Sequence, residues 1–280
     1  MVADAAWEGP DPAADGPSSG SGPVAPTPVR HAPGHHGVVT ILVGTSGWTY
    51  GSWAGPFYPA GVAKRRWLEH YAGRLPTVEL NASHYRWPRD TAFSGWHERL
   101  PPGFEMAVKA PRALTHARQL REPERWVEII SRGLALLRDR AGPLLLQLPP
   151  AMERDDARLD HVLGRLPSSI RVAVEFRHGS WLDEHVFAVL EKHDAAYVVM
   201  SGAHLPCVLR ATSGVVYVRW HGPSPEHLYA GSYSEDDLRW WADRLCEWED
   251  TGHRVLGYFN NDQHGYAVAN AMRLRELLGR

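Results

Sequence analysis

The sequence predicts a (β/α)8 barrel, an α/β fold in which eight parallel strands are surrounded by helices, and three observations support this. Eight short apolar runs alternate with helical stretches from residue 38 to the C-terminus. Most of these runs end in polar residues. Residues 38–280 are also close in number to the ~250 that one such barrel needs. Functional groups of this fold lie at the carboxyl ends of the strands, so we examine the residues there.

The eight apolar runs are each short enough to be a buried strand. They span residues 40–43, 77–80, 105–108, 144–147, 171–175, 196–200, 216–220 and 255–259.

Helices are predicted between the runs, with Asp90 or Thr91 as the N-cap of the second and Asp183 near the start of the fifth. Residues 201–214 do not predict a full helix, because Gly and Pro interrupt them. The other predicted helices span about residues 64–72, 124–137, 156–165, 235–249 and 267–278.

The first 37 residues predict a disordered tail. They contain seven prolines and six glycines and no apolar run that would form a strand or a helix core. No basic segment leads into an apolar stretch, as a secretory signal would require. We therefore divide the chain into a tail, residues 1–37, and a barrel domain, residues 38–280.

Charge and cysteine content narrow the function classes. The net charge is −2, and the tail holds four acidic residues and one arginine, so the barrel domain is nearly neutral and shows no global preference for long duplex nucleic acid. Cys207 and Cys246 are too far apart for a CxxC site, which fits a reducing compartment. No apolar run approaches the ~18 residues of a membrane span, so we expect a cytoplasmic protein without a membrane partner.

Polar side chains follow seven of the eight predicted strands. A charge that points into a packed barrel is costly unless it is paired or solvated at the mouth, so these residues form the candidate site. The strand-end candidates are Glu79, Asn81, Lys109, Gln147, Glu175, Arg177, His178, Arg219, His221, Asn260 and Asn261.

Two carboxylates across a barrel mouth can serve as acid and base, which makes Glu79 and Glu175 catalytic candidates. His178 and His221 are the candidate proton partners. The alternative is that each glutamate neutralises a neighbouring cation in a structural network, and the sequence leaves both possibilities open.

Lys109 has two functional interpretations, as an anion clamp or as a desolvated amine, and one structural alternative, a salt bridge to Glu79. Arg177 and Arg219 suit a carboxylate or phosphate of a substrate, with pairing to the glutamates as their alternative. Asn81, Gln147, Asn260 and Asn261 are the candidates for binding the substrate's polar groups.

Aromatic residues also crowd the predicted rim. Trp48, Tyr85 and Trp181 lie in loops after strands 1, 2 and 5, where flat apolar surfaces suit a sugar ring or an unstacked base. Their alternative role is loop packing over the barrel. No HxH or HExxH spacing occurs, so the sequence predicts no metal ligands and identifies no cofactor.

Seven motifs, in order, resemble the YecE-like proteins, known as domain of unknown function 72. They are residues 44–48 (GTSGW), 77–85 (TVELNASHY), 106–111 (MAVKAP), 145–150 (LLQLPP), 173–181 (AVEFRHGSW), 218–222 (VRWHG) and 258–262 (YFNND). The resemblance implies a TIM barrel and supplies no reaction.

The YecE-like barrel is itself similar to the metal-dependent barrels of the endonuclease IV and sugar isomerase type. This suggests phosphodiester or sugar substrates by analogy of fold alone. The dense His, Asp and Glu ligand sets of those metal enzymes are not reproduced here.

Three functional hypotheses follow. The first is an enzyme, a hydrolase or a lyase or isomerase, that acts on a small anionic substrate such as a phosphorylated sugar or a nucleotide-like compound by acid–base chemistry. The second is a protein that binds or processes a single-stranded or flipped nucleotide. The third is a Schiff-base lyase that uses Lys109, placed last because a nearby Glu79 would keep the amine protonated. The sequence does not determine the oligomeric state.

Overall fold

Eight parallel strands close into a barrel in the computed structural model, which describes residues 41–280. Each strand pairs with the next along the chain, and β1 pairs with β8. The strands are β1 Ile41–Ser46, β2 Thr77–Leu80, β3 Glu105–Lys109, β4 Ala141–Gln147, β5 Val172–Glu175, β6 Ala196–Ser201, β7 Val215–Trp220 and β8 Arg254–Phe259. The predicted fold class is confirmed, while the predicted tail, residues 1–37, lies outside the described residues.

Helices connect most of the strands. Residues 201–214, between β6 and β7, form no helix, as predicted. The predicted first helix is a 3-10 turn, Lys64–Arg66, that continues into a short α-helix. The α-helices are α1 Trp67–Ala72, α2 Asp90–Arg99, α3 Glu124–Leu137, α4 Asp156–Arg165, α5 Glu184–Lys192, α6 Glu235–Asp250 and α7 Tyr266–Leu277.

The predicted cap of α2 is wrong. Arg89 occupies the N-cap position and Asp90 is the first helical residue, with no side-chain cap hydrogen bond. The carboxylate of Asp90 instead lies 3.1 Å from Nε of Arg132 on α3, where it also complements the positive end of the helix dipole. Asp183 does cap α5, by accepting a hydrogen bond from the backbone N–H of His185.

Two separate sets of apolar side chains pack on the sheet, because successive strand residues point to opposite faces. One set lies between the strands and the helices and includes Val108, Leu146, Phe176 and Trp220. The other fills the inside of the barrel, and it consists of Leu42, Ala107, Leu145, Ala173, Ala196, Val198, Met200, Tyr217, Leu256 and Tyr258.

The inward-facing positions become polar at the carboxyl ends of the strands. On five of the strands, the residue two positions after an inner apolar residue carries a charged or amide side chain on the same face. This places Lys109 after Ala107, Gln147 after Leu145, Glu175 after Ala173, Arg219 after Tyr217 and Asn260 after Tyr258.

The amino-terminal end of the barrel is closed by a separate ion cluster. Glu105, at the start of β3, accepts hydrogen bonds from the guanidinium groups of Arg171 and Arg254. Arg171 also donates to the backbone oxygen of Ala141 at 2.8 Å. The carboxyl ends of the strands are therefore the end of the barrel at which a ligand can enter.

None of the helices between residues 41 and 280 is both long enough and apolar enough to cross a lipid bilayer.

Candidate active site

Arg219 joins the two glutamates at the centre of the barrel. Its Nη1 donates to Oε2 of Glu175 at 2.5 Å, and its Nε and Nη2 donate to the two oxygens of Glu79 at 2.9 and 2.7 Å. All three side chains are fully buried. Residues from β2, β5 and β7 thus converge in one network, although the strands lie on different arcs of the barrel.

Glu79 has hydrogen bonds to both of its oxygens besides those from Arg219. Ser46 Oγ donates to Oε1 at 2.6 Å, and the hydroxyl of Tyr217 donates to Oε2 at 2.7 Å. Burial disfavours the ionised carboxylate, but the charge and hydrogen bonds of Arg219 outweigh burial and hold the pKa of Glu79 below its usual value. Glu79 is therefore an ionised carboxylate whose acceptor positions are occupied.

Glu175 is held in the same way from the other side. Arg177 Nε donates to Oε1, opposite the hydrogen bond from Arg219 to Oε2. Burial again opposes ionisation, but the charges of Arg177 and Arg219 bring the pKa of Glu175 well below its usual value. The ion-pair network that the sequence allowed as an alternative is thus formed, and the role of the glutamates as acid and base stays a prediction.

His221 lies fully buried beside this network. Its Nε2 is 3.2 Å from Nη2 of Arg177 and 3.5 Å from Oε2 of Glu175, and its Nδ1 is 3.3 Å from the side-chain nitrogen of Asn260. Burial and the charge of Arg177 lower the pKa of His221 to about 3. The imidazole is consequently neutral at physiological pH.

Lys109 is the exception among the charged residues of the site. Its ammonium has no hydrogen-bond acceptor and no ion-pair partner among residues 41–280, although the side chain is buried. The salt bridge to Glu79 that we considered from the sequence is not formed, because the oxygens of Glu79 are already occupied. Burial and the charge of Arg219 lower the pKa of Lys109 to about 8, with Glu79 and Glu175 opposing this.

Unpaired amides lie on the strand ends to either side of Lys109. Asn81 follows β2, and its buried Oδ1 has no hydrogen-bond partner in the described part of the chain. Gln147 ends β4, and its side-chain amide makes no hydrogen bond to any residue between 41 and 280. Three neighbouring strands, β2 to β4, therefore present polar groups that the protein itself does not satisfy.

Two histidines that the sequence analysis missed lie beside Lys109. His84 ends a 3-10 turn, Ala82–His84, and His116 lies in a π-helical turn, Ala113–Ala117. Their ring centres are 4.9 Å apart. Burial and the charge of Lys109 lower both pKa values to about 4, so both rings are neutral at physiological pH.

One nitrogen of each of these rings is held by the protein. Nδ1 of His84 donates to the backbone oxygen of Ala110 at 3.0 Å, and Nδ1 of His116 lies 2.9 Å from Oγ1 of Thr115. Neither Nε2 has a hydrogen-bond partner among the described residues. His84 could have been found from the sequence, because it belongs to the same motif as Asn81. His116 lies outside all seven motifs, so the sequence offered no reason to select it.

Two other predicted candidates point away from the network. Asn261 faces the helices, where its Nδ2 donates to the backbone oxygen of Gly231 and to Oδ1 of Asn270, both at 2.9 Å. His178 caps a 3-10 turn, Gly179–Trp181, through its Nδ1. The structure therefore does not bring either residue to Lys109 or to the two glutamates.

The aromatic candidates divide between packing and the mouth. Trp48 packs edge-to-face on Trp96, and Trp181 is fully buried and stacks on Phe176. Both therefore serve loop packing, the alternative considered from the sequence. Tyr85 is 77% exposed, and its ring contacts that of His84, so it lies at the edge of the mouth.

Sequence comparison places this geometry in a family. The family model described as "Protein of unknown function DUF72" matches residues 42–280. The chain belongs to the DUF72 family. The UPF0759 protein YunF of Bacillus subtilis strain 168 is a relative that is 25% identical over 273 residues, with 85% of this chain and 94% of YunF covered.

Solved structures of DUF72 proteins share the fold. A DUF72 family protein of Thermotoga maritima MSB8 is 27% identical and superposes with a TM-score of 0.77 over 86% of this chain and 99% of its own. A DUF72 family protein of Enterococcus faecalis V583 is 17% identical, with a TM-score of 0.75 over 86% and 96%. The resemblance to YecE-like DUF72 proteins stated from the motifs is confirmed.

The mouth of this DUF72 barrel carries an excess of positive charge. Lys109, Arg177 and Arg219 face two ionised glutamates, so the group has one unbalanced cation. Between residues 41 and 280, no group of three or more His, Cys, Asp or Glu residues is arranged to hold a metal ion. The arrangement is suited to binding an anion and to hydrogen-bonding its polar groups.

Proposed function

We propose that this DUF72 protein is an enzyme that binds a small organic anion at the carboxyl ends of β2, β3 and β4 and acts on it by proton transfer. One observation carries the proposal: the side chain of Lys109 is mostly buried, and its ammonium has no acceptor among residues 41–280. Burying a charge is costly unless it is paired, and a phosphate or carboxylate of a ligand would be the missing partner.

Arg177 supports the same proposal. Its guanidinium uses Nε on Glu175 and Nη2 on His221, which leaves Nη1 without an acceptor in the described part of the chain. The Arg177 side chain is 7% exposed, at the level of the mouth. A charge-assisted pair of donors from Arg177 and Lys109 fits an anionic group of a ligand.

The proton-transfer groups of the proposal are His84 and His116. Because Nδ1 of His84 donates to a backbone oxygen, the free Nε2 of this neutral ring carries a lone pair that can accept a proton. Glu79 and Glu175 are less available for proton transfer, because their oxygens already accept hydrogen bonds from Arg219 and from other donors. We assign the glutamates to holding Arg219 in place instead.

Thermal unfolding with added anions tests the proposal. A ligand that binds only the folded protein raises its Tm, so inorganic phosphate and ribose 5-phosphate are expected to raise the Tm of the wild type. Lys109→Met is expected to lose this response. Lys192→Met is the matched control, because Lys192 is an exposed lysine at the end of α5. An equal response in Lys109→Met and in the wild type contradicts the proposal.

A second candidate, binding of a flipped or single-stranded nucleotide, is favoured by the exposure of Tyr85 beside His84, because an exposed ring can stack on a base. Fluorescence anisotropy with a labelled oligothymidylate tests it at rising salt concentration. Affinity that falls with salt and is lost in Tyr85→Ala supports this function. No binding at low salt contradicts it.

A further inference from the structure

We infer that Lys109 is an amine nucleophile that forms an imine with an aldehyde or ketone group of the bound anion. The inference rests on the proposed function and names its substrate class, a small carbonyl compound that carries a phosphate or carboxylate. Among the residues that face the mouth, Lys109 is the one whose side chain has this chemistry.

Lysine is a rare residue in this chain. The chain contains 27 arginines and three lysines, so it uses arginine almost everywhere that a positive charge is required. The other two lysines, Lys64 and Lys192, are exposed. A guanidinium stays protonated in proteins and is a poor nucleophile, whereas an amine can lose its proton and react. A lysine at the buried end of β3 therefore points to amine chemistry rather than to charge alone.

No carboxylate in the described part of the chain forms a hydrogen bond or an ion pair with the ammonium of Lys109. The two oxygens of Glu79 accept hydrogen bonds from Ser46, Tyr217 and Arg219, and those of Glu175 accept from Arg177 and Arg219. The objection raised from the sequence, that Glu79 would keep the amine protonated, therefore loses its main support. The lowered pKa of Lys109, about 8, is consistent with this geometry.

Groups that can complete the reaction lie around Lys109. Arg177 Nη1 is available for the anionic group of the substrate. The unpartnered Oδ1 of Asn81 and the free amide of Gln147 can bind hydroxyls. The free Nε2 atoms of His84 and His116 can carry the protons that imine formation moves.

The chemical step balances without a cofactor. The lone pair of the neutral amine forms a bond to the carbonyl carbon, and the π electrons of the carbonyl move to its oxygen, which takes up a proton as the nitrogen loses one. The carbinolamine then loses its hydroxyl as water after a second proton arrives, which leaves a protonated imine. No atom is oxidised or reduced, and water is the leaving molecule.

Pyridoxal 5′-phosphate is a suitable probe, because it joins an aldehyde to a phosphate. The full chain is incubated with the probe, reduced with sodium borohydride and analysed by peptide mass spectrometry. Lys64 and Lys192 serve as internal controls in the same molecule. We expect Lys109 to be labelled roughly tenfold or more in preference to them, since a larger fraction of a low-pKa amine is neutral. Inorganic phosphate is expected to protect Lys109 alone.

The Lys109→Arg variant separates this inference from the proposed function. It keeps the positive charge, so phosphate is expected to raise its Tm as in the wild type, while no reducible adduct forms at position 109. Equal labelling of the three lysines in the wild type, or labelling of Lys109 that phosphate does not reduce, overturns the inference. The proposed anion site is then judged independently by the loss of the phosphate response in Lys109→Met.

Discussion

The polar residues at the barrel mouth differ in whether the protein already satisfies them. Arg219 bridges Glu79 and Glu175, and each oxygen of the two carboxylates already accepts at least one hydrogen bond. Lys109 and Gln147, on neighbouring strands, have no partner in the described part of the chain. We therefore place ligand binding on the unsatisfied side of the mouth, and we regard the ion network as its support.

Phosphate affinity is expected to fall as the pH rises through about 8. The pKa of Lys109 is about 8, so the ammonium loses its charge as the pH rises past this value, where phosphate is mainly the dianion. Isothermal titration calorimetry with inorganic phosphate at several pH values from about 8 upward measures the effect. Lys109→Arg should bind with little change over the same range, and a wild-type dissociation constant that does not vary with pH argues against Lys109 as the anion ligand.

Glu79→Gln is expected to destabilise the fold rather than merely slow a reaction. The change leaves Arg219 buried with one fewer counter-charge, and breaking a buried ion pair in this way costs about 3–5 kcal/mol. Urea unfolding measures the free energy of unfolding, with Glu128→Gln, at an exposed position on α3, as the control. Wild-type stability in Glu79→Gln would show that the network is not structural.

Part of the candidate site was predictable from the sequence. Functional residues of a (β/α)8 barrel lie at the carboxyl ends of its strands, and the alternation of side chains along a strand shows which of these residues point inward. This brought Glu79, Lys109 and Glu175 together correctly. The sequence could not show that the carboxylate oxygens of Glu79 are already occupied. The hydrogen bonds that Glu79 accepts from Ser46 and Tyr217 join residues that are far apart in the sequence.

At the scale of elements, the strands and longer helices followed from their hydrophobic patterns, whereas the short turns did not. α4, Asp156–Arg165, has the predicted bounds, since its apolar residues recur at helical spacing. The π-helical turn Ala113–Ala117 is too short to show a periodicity, and it is the element that brings His116 beside His84. A sequence pattern therefore located the strand ends but not this part of the site.

Two glycine substitutions test how closely the helices α2 and α3 pack against each other. A Cβ at Gly133 on α3 would lie 2.9 Å from the rings of Phe93 and Trp87, so Gly133→Ala is expected to destabilise the protein by about 1–3 kcal/mol. Gly95 on α2 has open space, so Gly95→Ala is expected to stabilise it by about 0.5–1 kcal/mol. Urea unfolding of both variants checks this, and a stabilising Gly133→Ala would show that the two helices pack less closely.

For the whole molecule, the barrel combines buried ionised glutamates with buried neutral histidines. The inner apolar side chains fill the barrel below them, and Glu105 with its two arginines closes the opposite end. Protons taken up by the buried groups at low pH therefore act on the stability of the entire fold. The sequence predicted the barrel as a whole, because eight repeats of one pattern leave few other topologies.

Stability is expected to fall as the pH drops below about 6.5. The folded-state pKa values of His84 and His116 are about 4 and that of His221 is about 3, all below the usual 6.5, so the unfolded chain binds more protons in this window. The lowered pKa values of Glu79 and Glu175 add to the loss below about 4.5.

Urea unfolding over a series of pH values from neutral to acidic measures this dependence. The double variant His84→Gln, His116→Gln should lose less stability than the wild type between roughly pH 6.5 and 4. Equal slopes for the two proteins would exclude these histidines as the cause.

Anion binding and imine formation both require that Lys109 is a mostly buried amine without a hydrogen-bond or ion-pair partner among residues 41–280. Because the chain has three lysines, nuclear magnetic resonance of protein labelled with ¹³C and ¹⁵N in lysine alone resolves each side chain. The Lys109 signal is expected to titrate near 8 and to shift when inorganic phosphate is added, whereas the signals of Lys64 and Lys192 are expected not to respond to phosphate. A Lys109 signal that does not titrate near 8 and does not respond to phosphate would contradict the proposed role of this residue.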